Sequence, residues 1–232
     1  MSDQPPAAPS SRFEDLIDVF FSPAELFTRR RDAKFGLALL ILALLVGVIY
    51  FGTRDALAPV WEAEFQRGAD PNATPEQLEV ARRYAVLFAP VAAAVMIPIF
   101  VFLLGVTVWL VTRTTGSRLG YLQGVTIATF AYYPRLVEAI ASAVQALLMG
   151  DGTLQSRFDL NLGVARFLDP ATTGPVLIAV LSRIDLFTIW VTVLIGIGIR
   201  NMAGTSTAAA ARAAALAWLI GAIPTLFQGL AQ

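Results

Sequence analysis

The 232-residue chain contains no cysteine and no histidine. That excludes disulfides, thiol nucleophiles, imidazole bases and nearly every zinc or haem site. Its one lysine is Lys34, so a Ser–Lys nucleophile would have to form at that single position. No metal or cofactor is implied, and an enzyme is not the expected class. Charge is also scarce, at 15% of residues, where a soluble globular domain carries about 25%. The 17 basic and 17 acidic side chains cancel, so no basic field points to nucleic acid. What fills the chain is apolar: 56% hydrophobic residues and a mean hydropathy of +0.67. The expected fold is an all-α, polytopic membrane protein.

Residues 1–10 are polar and Pro-rich, with Asp3 and no basic n-region. They read as a disordered tail rather than a cleaved signal peptide. Residues 11–34 read as an amphipathic cytoplasmic segment of two short helices. Phe13, Leu16, Ile17 and Phe20 follow the spacing of one apolar helix face. Ser22, Pro23 and Glu25 then have the features of a helix start. Phe27 follows, and the basic group Arg29, Arg30, Arg31 and Lys34. An apolar face beside a basic cluster suits a membrane-surface helix or a partner contact. A helix packed beneath the bundle fits the same pattern. Phe13, Phe20, Pro23, Phe27, Arg29, Arg30 and Arg31 are the candidate contact residues.

Five apolar runs follow, at about 35–53, 84–112, 121–149, 172–199 and 213–230. Each reaches the roughly 20 residues that a helix needs to cross the hydrocarbon core. They make residues 35–232 one five-span domain. Residues 54–83 read as a polar loop with six acids and four arginines. It ends at a helix start, Thr74-Pro75-Glu76-Gln77. Pro98 predicts a kink in the second span. With the N-terminus inside, nine Arg and Lys side chains lie on the cytoplasmic side and six on the other. That bias places the N-terminus in and the C-terminus out.

The remaining charges lie inside spans. The fourth run, from Pro170 to Ile199, holds only Arg183 and Asp185. The third holds Arg135 and Glu138. A charge at bilayer depth costs at least about 2.5–3.5 kcal/mol on insertion scales, so each needs a partner or a task. If the two spans are antiparallel, helical rise puts Arg135 roughly 21 Å and Asp185 roughly 20 Å from the outer ends. Glu138 and Arg183 each fall at roughly 16 Å. The depths match with opposite signs, predicting a net-neutral cluster centred on Arg135 and Asp185. Arg183 and Asp185, two residues apart, point in nearly opposite directions, so both cross-span pairs cannot form on a regular helix. A structural ion network is the plainer reading, and an ion or proton path the sharper one.

Three pieces of the chain resemble the Yip domain family, the Ypt/Rab-GTPase-interacting multi-pass membrane proteins, in its bacterial branch. They are Phe21-Ser22-Pro23 with Phe27, then Ala131-Tyr132-Tyr133-Pro134, and Leu181 to Trp190 continuing through Gly196 to Arg200. The resemblance covers about residues 15–230. It implies five spans with a cytosolic N-terminus and, in eukaryotic members, binding of Rab-type GTPases and a role in vesicle traffic or membrane shaping. The short N-terminal segment and the Ala- and Arg-rich, Cys-free composition point to a bacterial inner-membrane protein, for which a Rab-type GTPase is not the expected partner. The leading expectation is a non-enzymatic scaffold or adaptor for other membrane proteins, or an organiser of lipid, with homo-oligomers also open to it. The alternative is a small transporter or channel along Arg135, Glu138, Arg183 and Asp185.

Overall fold

The computed structural model describes residues 14–69, 72–117, 119–149, 154, 156–169 and 172–230. Phe13 and the expected tail lie outside the described residues. The chain opens with α1 (Glu14–Phe21) and α2 (Pro23–Arg29). Pro23 occupies the first turn of α2, but Ser22 makes no side-chain cap.

The first long helix, α3 (Gly36–Gly68), does not end near residue 53. Residues 54–68, expected as loop, continue it, because Ala56, Leu57, Glu62, Ala63, Glu64 and Gln66 are good helix formers. It bends instead. The rings of Tyr50 and Trp61 approach to 5.8 Å between centroids. Eleven residues of straight helix would separate their Cα atoms by about 16 Å. Pro59 lies between them, and its ring clashes with the carbonyl four residues back, at Asp55.

A short turn leads to α4 (Pro75–Arg113). Thr74 and Gln77 form the expected capping box: Gln77 N–H donates to Thr74 Oγ1 (3.3 Å) and Thr74 N–H to Gln77 Oε1 (2.8 Å). The helix continues across Pro98. Its partner is α5 (Tyr121–Ala131), met where Gly105 faces Gly124. A Cβ on Gly124 would lie 2.7 Å from the Gly105 carbonyl oxygen, so only small residues permit this approach.

The expected third span is two helices, α5 and α6 (Pro134–Met149), broken at Tyr132-Tyr133. Pro134 brings no N–H and disfavours helical backbone before it. The expected fourth span is likewise divided, into α7 (Pro175–Leu181) and α8 (Leu186–Ala203). Asp185 is extended (φ −130°, ψ 159°) and caps α8, as an aspartate that competes with helix backbone prefers to do. The preceding loop, with 3₁₀ turns at Arg157–Leu160 and Val164–Phe167, straps the break. Val164 N–H donates to the Ile184 carbonyl (3.2 Å) and Leu186 N–H to the Leu162 carbonyl (3.3 Å). A bilayer requires such internal satisfaction of freed backbone. The last helix is α9 (Thr207–Leu230), reached through Gly204 at φ 66°.

Among the described residues, four helices are long and apolar enough to cross a membrane: Gly36–Gln66, Val91–Arg113, Leu186–Ala203 and Thr207–Pro224. Described residues form no strand, only one isolated antiparallel bridge, between Gly163 and Asp185. The core lies between α3, α4, α5, α8 and α9, around Leu42, Val101, Val108, Ile127, Phe130, Leu194 and Ile199. Outward apolar side chains such as Leu44, Val48 and Phe51 of α3 are exposed, as lipid contact requires. Within the core, Tyr133 donates its hydroxyl to the Ala38 carbonyl at 2.7 Å, tying the α5–α6 break to the start of α3. Tyr133→Phe should lower stability by about 1 kcal/mol, read as a lower thermal midpoint in detergent with unchanged folded yield.

Candidate functional site: a bridged helix break and an N-terminal hairpin

The buried charges gather at the two breaks. Arg135, one residue into α6, donates to Glu138 on the same helix (Nη1 to Oε2, 2.5 Å) and to Thr188 Oγ1 on α8 (2.8 Å). Its Nη1 lies 4.0 Å from Asp185 Oδ1. Asp185 accepts from the N–H groups of Phe187 (2.9 Å) and Thr188 (3.0 Å) and from the Thr188 hydroxyl. The carboxylate therefore serves as helix cap first and as counter-charge second. The first of the two depth-matched pairs, Arg135 with Asp185, is present as a long contact.

The second, Glu138 with Arg183, is absent among the described residues. Arg183 turns to α9, where Nη2 donates to the Trp218 carbonyl (3.0 Å) and the guanidinium lies 5.8 Å from the Trp218 ring centroid. It fills the space over Gly221, whose added Cβ would meet Nη2 at 2.9 Å. The cause is the break itself: Arg183 and Asp185 flank an irregular turn and leave it in different directions. The Trp218–Gly221 pair on one face of α9 is the sequence signal that would have indicated this seat. Thr188, which bridges Arg135 and Asp185, carries no comparable signal.

The N-terminal candidates form a second feature. Phe27 and Leu26 are fully buried in the core, with Phe27 edge-on to Phe130 at 6.4 Å. Phe20 and Pro23 are half-buried. Asp15 is buried and takes Arg29 (3.0 Å) and Arg30 as partners, and Arg29 also reaches Asp18 at 2.5 Å. The hydrogen bond that Arg29 donates to Asp18 is the main influence holding its guanidinium above the ordinary pKa. Arg31 donates to the Asn201 carbonyl at the end of α8 (Nε, 3.0 Å).

These contacts fix how the segment stands. Arg31 sits at Asn201, while the Phe20 ring packs edge-on to Trp190 at 5.5 Å. Asn201 and Trp190 are eleven residues apart on α8, about 16 Å. The α1–α2 hairpin thus runs along α8 over about half a hydrocarbon core. The three arginines are engaged by the protein. The outward face is instead Ile17 (61% exposed) and Phe21 (82%). Phe21 was legible in part, since adjacent phenylalanines at 20 and 21 cannot share one helix face.

A family model described as the Yip1 domain matches residues 17–227, from α1 to the last turns of α9. The chain belongs to the Yip1 domain family. The match takes in the hairpin from Ile17 onward, both helix breaks and the bridging charges, so these are parts of one Yip1 domain; Asp15 lies just before it. The chain is accordingly a multi-pass membrane protein. No curated protein and no solved structure matches it significantly.

Proposed function

We propose that this Yip1 domain protein is a non-enzymatic scaffold for other proteins of a bacterial inner membrane. It crosses the bilayer five times, α5–α6 making one pass and α7–α8 another, with the N-terminus cytoplasmic. The hairpin is the contact element. The observation that carries the reading is the division within the hairpin: Leu26, Phe27 and the Asp15–Arg29–Arg30 group lock it to the bundle, while Phe21 and Ile17 remain presented outward. A large aromatic held rigidly in the open is what a recognition surface needs. The partner is another membrane protein or a second copy, and not a Rab-type GTPase.

A transport path is the weaker reading. Arg135, Glu138 and Asp185 answer one another and Asp185 caps α8, which supports a structural role, while Arg183 bonds only the Trp218 carbonyl among the described residues and leaves its Nε without a partner.

The test is affinity purification from gently solubilised native membranes, comparing the full chain with Ile17→Asn/Phe21→Asn. Both substitutions spare the buried face, whereas deleting residues 1–31 would remove Leu26 and Phe27 from the core. A stoichiometric partner held by the full chain and lost by the double variant is the expected result. Equal recovery with both chains, or no partner with either, rejects the hairpin as a contact. The five-pass arrangement makes its own prediction, which a Cys-free background suits. In sealed vesicles of known sidedness, an impermeant maleimide should label Glu76→Cys and Thr207→Cys from opposite faces. Labelling of both from one face contradicts it.

A further inference from the structure

Next to the hairpin's contact at Trp190, a groove of about 670 Å³ runs between the 161–167 loop and the first turns of α8. That volume is in the range of ligand sites. Its walls are apolar: Leu162 and Val164 from the loop, Ile184, Leu186 and Ile189 from the break and α8. All five are more than a third exposed. The apolar stripe does not stop at the groove. Val193, one turn past Ile189, is exposed on the same side of α8, so the floor runs on down the lipid-facing surface of a membrane-crossing helix.

The other end is charged. Arg166 lines the groove, and its Nη1 donates to Gln145 Oε1 at 2.5 Å. Gln145 is a neutral partner, and no carboxylate among the described residues pairs with Arg166. Gln145 is in turn fixed by its own bond to the Leu160 carbonyl (3.2 Å), so the guanidinium is positioned rather than free to swing. It also sits on the correct side. Gln145 lies ten residues beyond Arg135 on α6, about 15 Å outward from the bridged break. With α5–α6 crossing the bilayer as proposed above, on which this inference rests, the cation faces the headgroup level while the apolar floor faces the hydrocarbon.

A fixed cation without a counter-ion among the described residues, above an apolar channel, matches one class of molecule. We propose that the groove holds one anionic phospholipid, with its phosphate on Arg166 and an acyl chain along Leu186, Ile189 and Val193. Arginine suits phosphate through paired N–H donors. A net-negative headgroup is favoured, because Asp185, the one carboxylate in the groove's lining, is buried with both oxygens engaged by Phe187 and Thr188, so the cation of a zwitterionic headgroup finds no free partner there.

The experiment uses the full chain, purified in mild detergent and stripped of lipid, titrated with phosphatidylglycerol or phosphatidylcholine and read by native mass spectrometry. One phosphatidylglycerol should bind saturably, about tenfold tighter than phosphatidylcholine. Arg166→Gln should bring the two lipids to equal affinity, and Arg166→Lys should keep most of the preference. Leu186→Trp, which fills the channel, should weaken both lipids. Non-saturating binding, equal affinity for both lipids in the unmodified chain, or a preference that survives Arg166→Gln would each overturn the proposal. So would recovery of a protein rather than a lipid cross-linked to the groove. Arg166 is exposed, so its variants should fold, and size-exclusion profiles check that they do.

Discussion

Asp185→Ala should be the most damaging single change in the chain, lowering stability by of order 3–5 kcal/mol. The side chain does two jobs. It caps α8 through the N–H groups of Phe187 and Thr188, a contribution of about 1 kcal/mol. It also makes the group of Arg135, Glu138, Arg183 and Asp185 net neutral, and its loss leaves an uncompensated positive charge among buried groups. Asp185→Asn separates the two. Asparagine still accepts from the backbone as a good cap but carries no charge, so it should fall between Asp185→Ala and the unmodified chain. Folded yield and thermal midpoint, measured by fluorescence-detected size exclusion, report the order. An Asp185→Ala protein as stable and abundant as the original would refute the bridged break.

Gly124→Val is expected to come second. The α4–α5 contact brings backbone to backbone. A Cβ at 124 would meet the Gly105 carbonyl oxygen at 2.7 Å and the Trp109 nitrogen at 3.3 Å. Neither atom belongs to a side chain that can rotate away, so the helices must separate. Overpacking of this kind costs about 1–3 kcal/mol and sometimes more. Gly196→Ala is the control, because an added Cβ there finds only the Ala214 methyl at 3.5 Å and the Ala210 carbonyl oxygen at 4.0 Å. It should be close to neutral. Equal losses at both positions would contradict close approach as the reason for Gly124, since both substitutions raise helix propensity and only the contacts differ.

The sequence made some of this plain and hid the rest for identifiable reasons. Apolar runs and scarce charge revealed a helical membrane protein, because insertion energetics act on composition. Arg135 and Asp185 were matched because depth along a helix can be counted from residue number. The breaks were not visible, because a four-residue interruption such as Ser182–Asp185 barely changes the hydropathy of a 28-residue run. Its charges looked like intrusions into a helix when one of them begins a helix. The seat of Arg183 on α9 is hidden for the same reason: counting depth assumes one continuous axis. The extension of α3 to Gly68 does not show in hydropathy, because its last turns are polar, although Glu62, Ala63, Glu64 and Gln66 favour helix. In the hairpin, composition showed an apolar and a basic character. Which side faced the bundle depended on Asp15, whose burial between Arg29 and Arg30 is a tertiary event.

The scaffold reading depends on what touches the outward face of the hairpin in the living membrane. A photo-crosslinking amino acid placed at position 21, activated in intact cells before any detergent is added, tests it most directly. The account predicts a discrete protein adduct of one or a few sizes, lost when the same probe is placed at Leu26 on the buried face. Adducts to lipid alone at position 21 would contradict it.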